Sequence, residues 1–439
     1  MNSSNASNKN GYVLSISIIG ALFFIFGFVT WLNGILIPYL QISCELTNFQ
    51  AVFVAFAFYI SYALMALPSA WILAKTGFKS GIMLGLIIMA VGTLLFVPAA
   101  LLRTFPIFLI GLFVMGTGLA ILQTAVNPYI TILGRRETAA VRFSIMGICN
   151  NLAGAIGPLI LAYYILNDGD AFVASLKSMD TAAQALALNG LARRVIGPYI
   201  VMTLVLLGLG LLVKFSPLPE IDEEKEESAD HVPDTRTSIF QYPHLILGVI
   251  ALFFYVGAEV IAGNTIMGYG ISLGVPIESA KAYTTMVMIT MLIGYVFGIM
   301  LIPKVVSYHT VLTLSAILGT VFTFSAMLVP VTLTITLPLV NIQLPVTVLF
   351  VALLGLANSL IWPAIWPLAI HNLGKFLKLG SALMIMAIAG GAVLPLLWGY
   401  FSDISSAHNA YWMLIPTYLI ILYYSLYGFK VRYWKMTRS

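Results

Sequence analysis

The chain of 439 residues is poor in charge: only 8% of its residues are Asp, Glu, Lys or Arg, against 60% hydrophobic. A soluble domain of this length carries about 25% charged residues. That deficit excludes a soluble globular protein and points to a chain that crosses the bilayer many times. Cysteine is equally scarce. Cys44 and Cys149 are too few for a disulfide framework, and Cys149 lies in an apolar run where it reads as a packed thiol. No Gly-Lys-Ser/Thr phosphate-binding motif occurs, so ATP is not the driver. The five histidines, His231, His244, His309, His371 and His408, are scattered without metal-ligand spacing. These absences argue against an enzyme, a resident metal or a cofactor. The net charge of +5 sits in short loops and does not read as nucleic-acid binding. The polar start, MNSSNASNKNGYV, has no small-residue cleavage site after the first apolar run, which is therefore expected to be a retained helix.

Long apolar runs are abundant. A spanning helix needs about 20 mostly apolar residues, and twelve such runs centre near residues 26, 60, 90, 118, 154, 205, 255, 292, 320, 354, 388 and 420. One strongly hydrophilic stretch, PEIDEEKEESADHVPDTRT at 219–237, separates six runs from six and is expected to be a solvated linker. The expected organisation is an N-terminal six-helix half (1–218), a cytoplasmic linker (219–237) and a C-terminal six-helix half (238–439). A second polar loop, from Asn167 to Arg194, contains a helix-prone segment expected at the surface. With the N-terminus placed in the cytoplasm, 16 of the 21 Lys and Arg fall on the cytoplasmic side. This bias predicts that both termini are cytoplasmic.

The two halves repeat in the same orientation. Phe23, Phe24 and Gly27 match Phe253, Phe254 and Gly257 at an offset of 230. Gly118, Leu119 and Ala120 match Gly355, Leu356 and Ala357 at an offset of 237, and Ser144, Gly154, Ala155, Pro158 and Leu159 match Ser381, Gly391, Ala392, Pro395 and Leu396 at that same offset. Two parallel six-helix repeats predict an all-α membrane protein with the major facilitator fold and a site near the midplane.

Polar side chains inside these runs are the candidates for function, because at membrane depth they are costly and face a bundle interior or a wet cavity. Seven amides fall mid-span: Asn33, Gln123, Asn127, Asn150, Asn151, Asn264 and Asn358. An amide offers a substrate hydroxyl both a donor and an acceptor, and an aromatic face covers an apolar face of a bound molecule. Gln123, Asn150, Asn33 and Asn358, with Trp362 and Phe26, form the expected substrate site; interhelical hydrogen bonding is the alternative for each amide. Asn127 reads chiefly as the partner of a carbonyl freed by Pro128. Asn150 and Asn151 lie about 100° apart around a helix, so they are not expected to face one cavity. Trp362 and Trp366 share a helix face beside Pro363 and Pro367, a place for either packing or a flexing gate. Glu259 is the one carboxylate placed well inside a run. It reads as a coupling group for a cation or an acceptor for a sugar hydroxyl, or else as an acid bonded to neighbouring amides. Arg142 opens the fifth run near Glu137, and the basic turns at Lys75–Lys79, Arg135–Arg142 and Lys375–Lys378 read either as latches between the halves or as positive-inside anchors.

The motifs FFIFGFVTWLNGILIPYL, QTAVNPYITILG, RFSIMGICNN, FFYVGAEV, GLANSLIWPAIWPLAIHNLGK and GSALMIMAIAGGAVLPLLWGYFSD are similar to those of the L-fucose permease family of major facilitator sugar symporters, which also contains glucose/galactose transporters. The resemblance covers nearly the whole transmembrane chain. The NP pair at Asn127 and Pro128 and the GGAxxP motif from Gly390 to Pro395 carry most of its specificity. It implies sugar transport across the cytoplasmic (inner) membrane by alternating access, with substrate-site roles for Gln123 and Asn150. Proton-coupled members typically show LND in the first helix and ETAxNP in the fourth, and those acids are associated with substrate binding and coupling. This chain has Gly34 and Gln123 at the two positions. Neither titrates, so the resemblance does not carry that proton mechanism over. The sequence therefore predicts a transporter or facilitator for a small neutral sugar, monomeric, with a co-transported Na+ or H+ left open. Efflux of an amphipathic compound and a non-transporting sugar sensor are the alternatives; seven mid-span amides argue against the first, and the nine residues after Lys430 against the second.

Overall fold

In the computed structural model the described residues are 2–132, 139–216, 218, 236–301, 306–337, 342–373 and 376–434, with side chains of 2–13, 127–129, 131–132, 139–141, 144, 301, 337, 342–343, 377 and 378 also outside the description. Most of the linker expected at 219–237, and the basic residues Arg135, Arg136 and Lys375, therefore lie outside the described residues.

Twelve helical spans are long and apolar enough to cross a membrane. They are span 1 (Leu14–Ser43), span 2 (Asn48–Thr76), span 3 (Phe78–Leu102), span 4 (Phe105–Val126), span 5 (Ile145–Ile165), span 6 (Thr181–Phe215), span 7 (Pro243–Ser272), span 8 (Ile277–Met300), span 9 (Tyr308–Leu328), span 10 (Val346–Ala369), span 11 (Leu379–Ile404) and span 12 (Ala407–Lys430). Every expected centre falls inside its span. Helices are the form an apolar run must take in lipid, because each then satisfies its own backbone. One small departure from an all-helical chain exists among the described residues. Thr334–Leu337 and Ile342–Pro345 pair as a short antiparallel hairpin between spans 9 and 10. Span 6 begins as an amphipathic helix, Thr181–Arg193, that lies on the surface, and continues after a turn as Ile196–Phe215. Leu188, Leu191 and Ala192 are its buried side, and the Tyr39 hydroxyl donates to the Leu191 and Ala192 carbonyls at 2.7 and 3.0 Å.

Spans 1 and 5, 2 and 4, and 3 and 4 pack together in the first half, as do 7 and 11, 8 and 10, and 9 and 12 in the second. The closest approaches use glycine. A Cβ on Gly27 in span 1 would lie 1.8 Å from the Asn150 carbonyl oxygen in span 5, and a Cβ on Gly390 in span 11 would lie 1.7 Å from the Phe253 carbonyl oxygen in span 7. Small residues let backbones touch where lipid offers no hydrophobic drive between helices. The same pair of spans in each repeat thus carries a backbone-to-backbone seam.

Three spans break near mid-depth. Span 1 divides at Leu32 into Asn2–Trp31 and Asn33–Ser43. Span 10 divides at Ser359 and Leu360 into Val346–Asn358 and Ile361–Ala369. Span 11 tightens into a 3-10 turn at Ala387–Ala389. The break in span 10 comes before its prolines. Pro363 sits in the first turn of the second helix, where a missing N–H leaves no intrahelical bond unmade.

Candidate functional site

Glu259 sits near the middle of span 7 and is partly buried. Four tyrosines lie within reach of its charge. Tyr255, one turn earlier on the same helix, is placed to donate to the carboxylate. Tyr295 of span 8, Tyr418 of span 12 and Tyr59 of span 2 also feel its charge. No basic side chain forms an ion pair with Glu259 among the described residues. The hydrogen-bond donor to this carboxylate is the neutral Tyr255 hydroxyl.

Tyr418, Tyr295 and Tyr59 each stand next to an amide. The Tyr418 hydroxyl donates to Asn358 Oδ1 at 2.9 Å. The Tyr295 hydroxyl is beside Asn151, whose Nδ2 donates to the Gly147 carbonyl at 3.0 Å. The Tyr59 hydroxyl is beside Asn264. Tyr62, stacked near Tyr59 with centroids 6.3 Å apart and planes at 25°, accepts from Gln123 Nε2 at 3.2 Å. Buried polar groups are costly unless paired; tyrosine hydroxyls pair with Asn358 and Gln123, whereas both amide atoms of Asn264 are buried without a hydrogen-bond partner.

The other expected site residues are distributed around this centre. Asn150 Nδ2 donates to the Phe23 carbonyl at 3.3 Å, so its amide reaches span 1. Asn33 is buried at the break in span 1. Both of its amide atoms lack a hydrogen-bond partner. Phe26 is buried with its ring 5.1 Å from that of Phe23. Trp362 stacks on Trp366 at 5.5 Å and 24°. Arg142 is buried and its Nε donates to the Ile130 carbonyl at 2.6 Å, tying the start of span 5 to the end of span 4. The side chains of Asn127 and Pro128, and Glu137, lie outside the described residues. Of the basic turns, Lys75 lies over the Trp71 ring at 3.8 Å and Lys79 Nζ donates to the Ser216 carbonyl at 2.6 Å. Both contacts stay within the first half.

Gly34 has a steric role. A Cβ there would lie 2.7 Å from Thr284 Oγ1 and 3.1 Å from the Gly263 carbonyl oxygen. Spans 1, 7 and 8 meet at this point, and an acid side chain has no room in this arrangement of the halves.

Four hydrogen bonds join the halves among the described residues. Asp403, at the end of span 11, accepts from Phe49 N at 2.9 Å. Asp170, after span 5, accepts from Ile277 N at 2.9 Å and Glu278 N at 3.0 Å. Thr285 donates to the Ala155 carbonyl at 2.7 Å. The three bonds to Asp403 and Asp170 lie at span ends on the face opposite the two termini, Thr285 and Ala155 lie within spans 8 and 5, and the halves are closed against each other on that face.

Of these tyrosines the sequence singles out Tyr255 alone, as a weaker aromatic candidate beside Phe26, and misses the others. Ten of the eleven largest fully buried side chains are tyrosine. That abundance of hydroxyl-bearing rings in apolar spans was the available signal.

Residues 19–388 match the model of the family described as the Major Facilitator Superfamily. A protein named glucose/galactose transporter from Brucella abortus biovar 1 (strain 9-941) is 32% identical over 424 residues, 97% of this chain and 96% of the relative. One named L-fucose-proton symporter from Escherichia coli (strain K12) is 28% identical over 409 residues, 91% of this chain and 89% of the relative. A crystal structure of the E. coli fucose:proton symporter FucP superposes with a TM-score of 0.69 at 25% identity, over 94% of this chain and 98% of that one.

Proposed function

This chain belongs to the Major Facilitator Superfamily, and from that membership we propose that it moves a neutral hexose of the glucose, galactose or fucose type, coupled through Glu259 to Na+ or H+. It is a multi-pass membrane protein and a sugar transporter, not an enzyme. The sugar class follows relatives named for glucose/galactose and L-fucose. The interior supports it: amides and tyrosine hydroxyls alternate around the centre, which suits a substrate made of hydroxyl groups and not an amphipathic drug. The reading includes an inner-membrane location, which follows the resemblance to bacterial sugar symporters, cytoplasmic termini, which follow the Lys and Arg bias, and a monomer.

The observation that carries the coupling assignment is the mid-span place of Glu259, bonded by the Tyr255 hydroxyl and in no ion pair among the described residues. A carboxylate at this depth needs a proton, a cation or donors, and the usual family acids are replaced by Gly34 and Gln123. Gln123, Asn150, Asn33, Asn358, Trp362 and Phe26 are the proposed sugar contacts, with Arg142, Asn127, Pro128 and Pro363 as structural or gating residues.

The test is Glu259→Gln in proteoliposomes. Concentrative uptake should fall towards equilibration while counterflow, which needs no ion gradient, persists. Full concentrative uptake by the variant under the parent's sodium or proton gradient would refute the assignment, and loss of counterflow as well would point to a sugar contact.

A further inference from the structure

Two spaces lie one behind the other between the halves on the closed face. The outer is a cleft of about 320 Å³, with Gln41 of span 1 and Asn48 of span 2 on one wall and Gly268 and Ser272 of span 7 on the other. The inner is a chamber of about 20 Å³ that shares Gln41, Asn48 and Gly268 with the cleft and reaches Asn264 of span 7 and Trp398 of span 11. Asn264, Gly268 and Ser272 are spaced four apart and form one stripe along span 7, from chamber to mouth. Nothing lies within 4 Å of a Cβ built on Gly268, so the stripe stays open at its middle. Asn264 follows Glu259 by five residues, about 7.5 Å further along the helix towards this face.

The closed chamber is mismatched to its own lining. Asn264 is 1% exposed and Trp398 4%. Both amide atoms of Asn264 and the indole N–H of Trp398 have no hydrogen-bond partner. The Tyr59 hydroxyl stands beside Asn264 but outside bonding geometry. Polar atoms buried without partners are costly, so these groups call for a partner outside the closed state. The chamber has room for one water and not for a sugar. No acidic or basic side chain lines either space among the described residues, so the ligand they suit is neutral. One amide that donates and accepts, one indole with a donor and an apolar face, and two more amides opposite make a set that takes hydroxyl groups. In the closed state the opposite pair satisfies itself: Gln41 Nε2 donates to Asn48 Oδ1 at 3.0 Å.

We propose that Asn264 and Trp398, with Gln41 and Asn48 across the seam, form a second, outer binding site for a neutral hexose, used when the halves part on the face opposite the termini. This rests on reading the chain as a hexose transporter. Parting draws spans 1 and 2 away from spans 7 and 11 and joins chamber and cleft into one space. The cleft alone already has the volume of a small ligand pocket. The hexose is held there before it passes inward along span 7 towards the amides near Glu259. Closure removes the volume and leaves Asn264 and Trp398 unpaired, so the outer site holds sugar in the open state and gives it up in the closed one.

Gly268→Cys, in a chain with Cys44 and Cys149 replaced by serine, places a thiol on the wall of this path. In oriented membrane vesicles, glucose or galactose should slow its reaction with an impermeant maleimide added on the side opposite the termini. The half-protecting sugar concentration should rise about 2- to 10-fold in Asn264→Leu and in Trp398→Phe, the scale of one hydrogen bond. Trp398→Phe keeps an aromatic ring and removes the N–H. In the double variant Gln123→Ala, Asn150→Ala, protection should persist at the parent's concentration. Unchanged protection in either Asn264→Leu or Trp398→Phe would overturn the outer site. Loss of protection in the double variant would also overturn it, because labelling would then follow the central amides alone. Counterflow of glucose, galactose and fucose by the parent separates the two readings. If all three fail, the hexose reading fails and this inference with it. If counterflow is present and neither glucose nor galactose protects the thiol, only the outer site fails.

Discussion

Asp403 accepts from the backbone N–H of Phe49 at 2.9 Å, from one half to the other. Phe49 is the second residue of span 2, whose first turn also has Thr47 and Gln50 in a reciprocal capping pair. Asp170 does the same in the opposite direction. It accepts from the first two N–H groups of span 8, where the preceding residue, Pro276, has no side-chain acceptor to offer. Each half therefore supplies a carboxylate that caps a helix of the other, at sites related by the internal repeat. Helix N-termini carry unpaired donors and a positive end, so these are favourable partners.

Loss of either cap should loosen this face. A cap is worth about 0.5–2 kcal/mol, so Asp170→Ala or Asp403→Ala should shift the open-to-closed ratio about 2- to 30-fold. Gly268 lines the seam between the halves near Gln41 and Asn48, and nothing lies within 4 Å of a Cβ built on it. A Gly268→Cys probe, in a chain with Cys44 and Cys149 replaced by serine, should react faster with an impermeant maleimide in both variants. Equal rates in parent and variants would show that the carboxylates do not hold the face closed.

Restoring the family acid in span 1 should not restore proton coupling. At Gly34 a Cβ would already press on Thr284 and on the Gly263 carbonyl. Gly34→Asp should slow sugar transport by opposing closure, with no sugar-dependent proton uptake gained. Alkalinisation of a weakly buffered medium on adding sugar to cells carrying the variant, above that of the parent, would contradict this.

Gln123→Ala and Asn150→Ala should each weaken sugar binding by up to roughly tenfold, the scale of one hydrogen bond, and leave the protein folded in the membrane. Binding measured by tryptophan fluorescence or calorimetry checks this. If both variants bind as the parent does, neither amide belongs to the sugar site.

A tag at Ser439 should be protected from an impermeant reagent in intact cells and react after permeabilisation, given the bias of Lys and Arg to one side. Reaction from outside would invert the proposed topology.

The spans were legible because hydropathy alone forces helices in a bilayer. The repeat was legible at its glycines and at Pro158 and Pro395. The meaning of Gly34 was less so. As a letter it is a missing acid; in the fold it is also the point where three spans meet. The break in span 10 illustrates a similar gap. Pro363 and Pro367 invite a kink, yet the helix ends at Asn358, where Ser359 and Leu360 press on the span 8 glycines Gly294 and Gly298. Packing decided that position, and no local signal encodes it. Most of the tyrosines were overlooked for a related reason. In an apolar run a tyrosine scans as bulk, and only the fold shows that Tyr418 bonds Asn358 and that Tyr62 bonds Gln123.

The glycine seams bear on how fast the transporter can turn. Gly27 against the Asn150 carbonyl and Gly390 against the Phe253 carbonyl leave no slack between spans 1 and 5 or between 7 and 11. Each half must then swing as a stiff lever, with little motion absorbed inside it. The barrier to turnover is concentrated at the surface between the levers, in contacts such as Asp403 with Phe49. Collective rocking of this kind belongs to the microsecond-to-millisecond range, so the slow step of a transport cycle should respond to changes at that surface far more than to changes deep within either half.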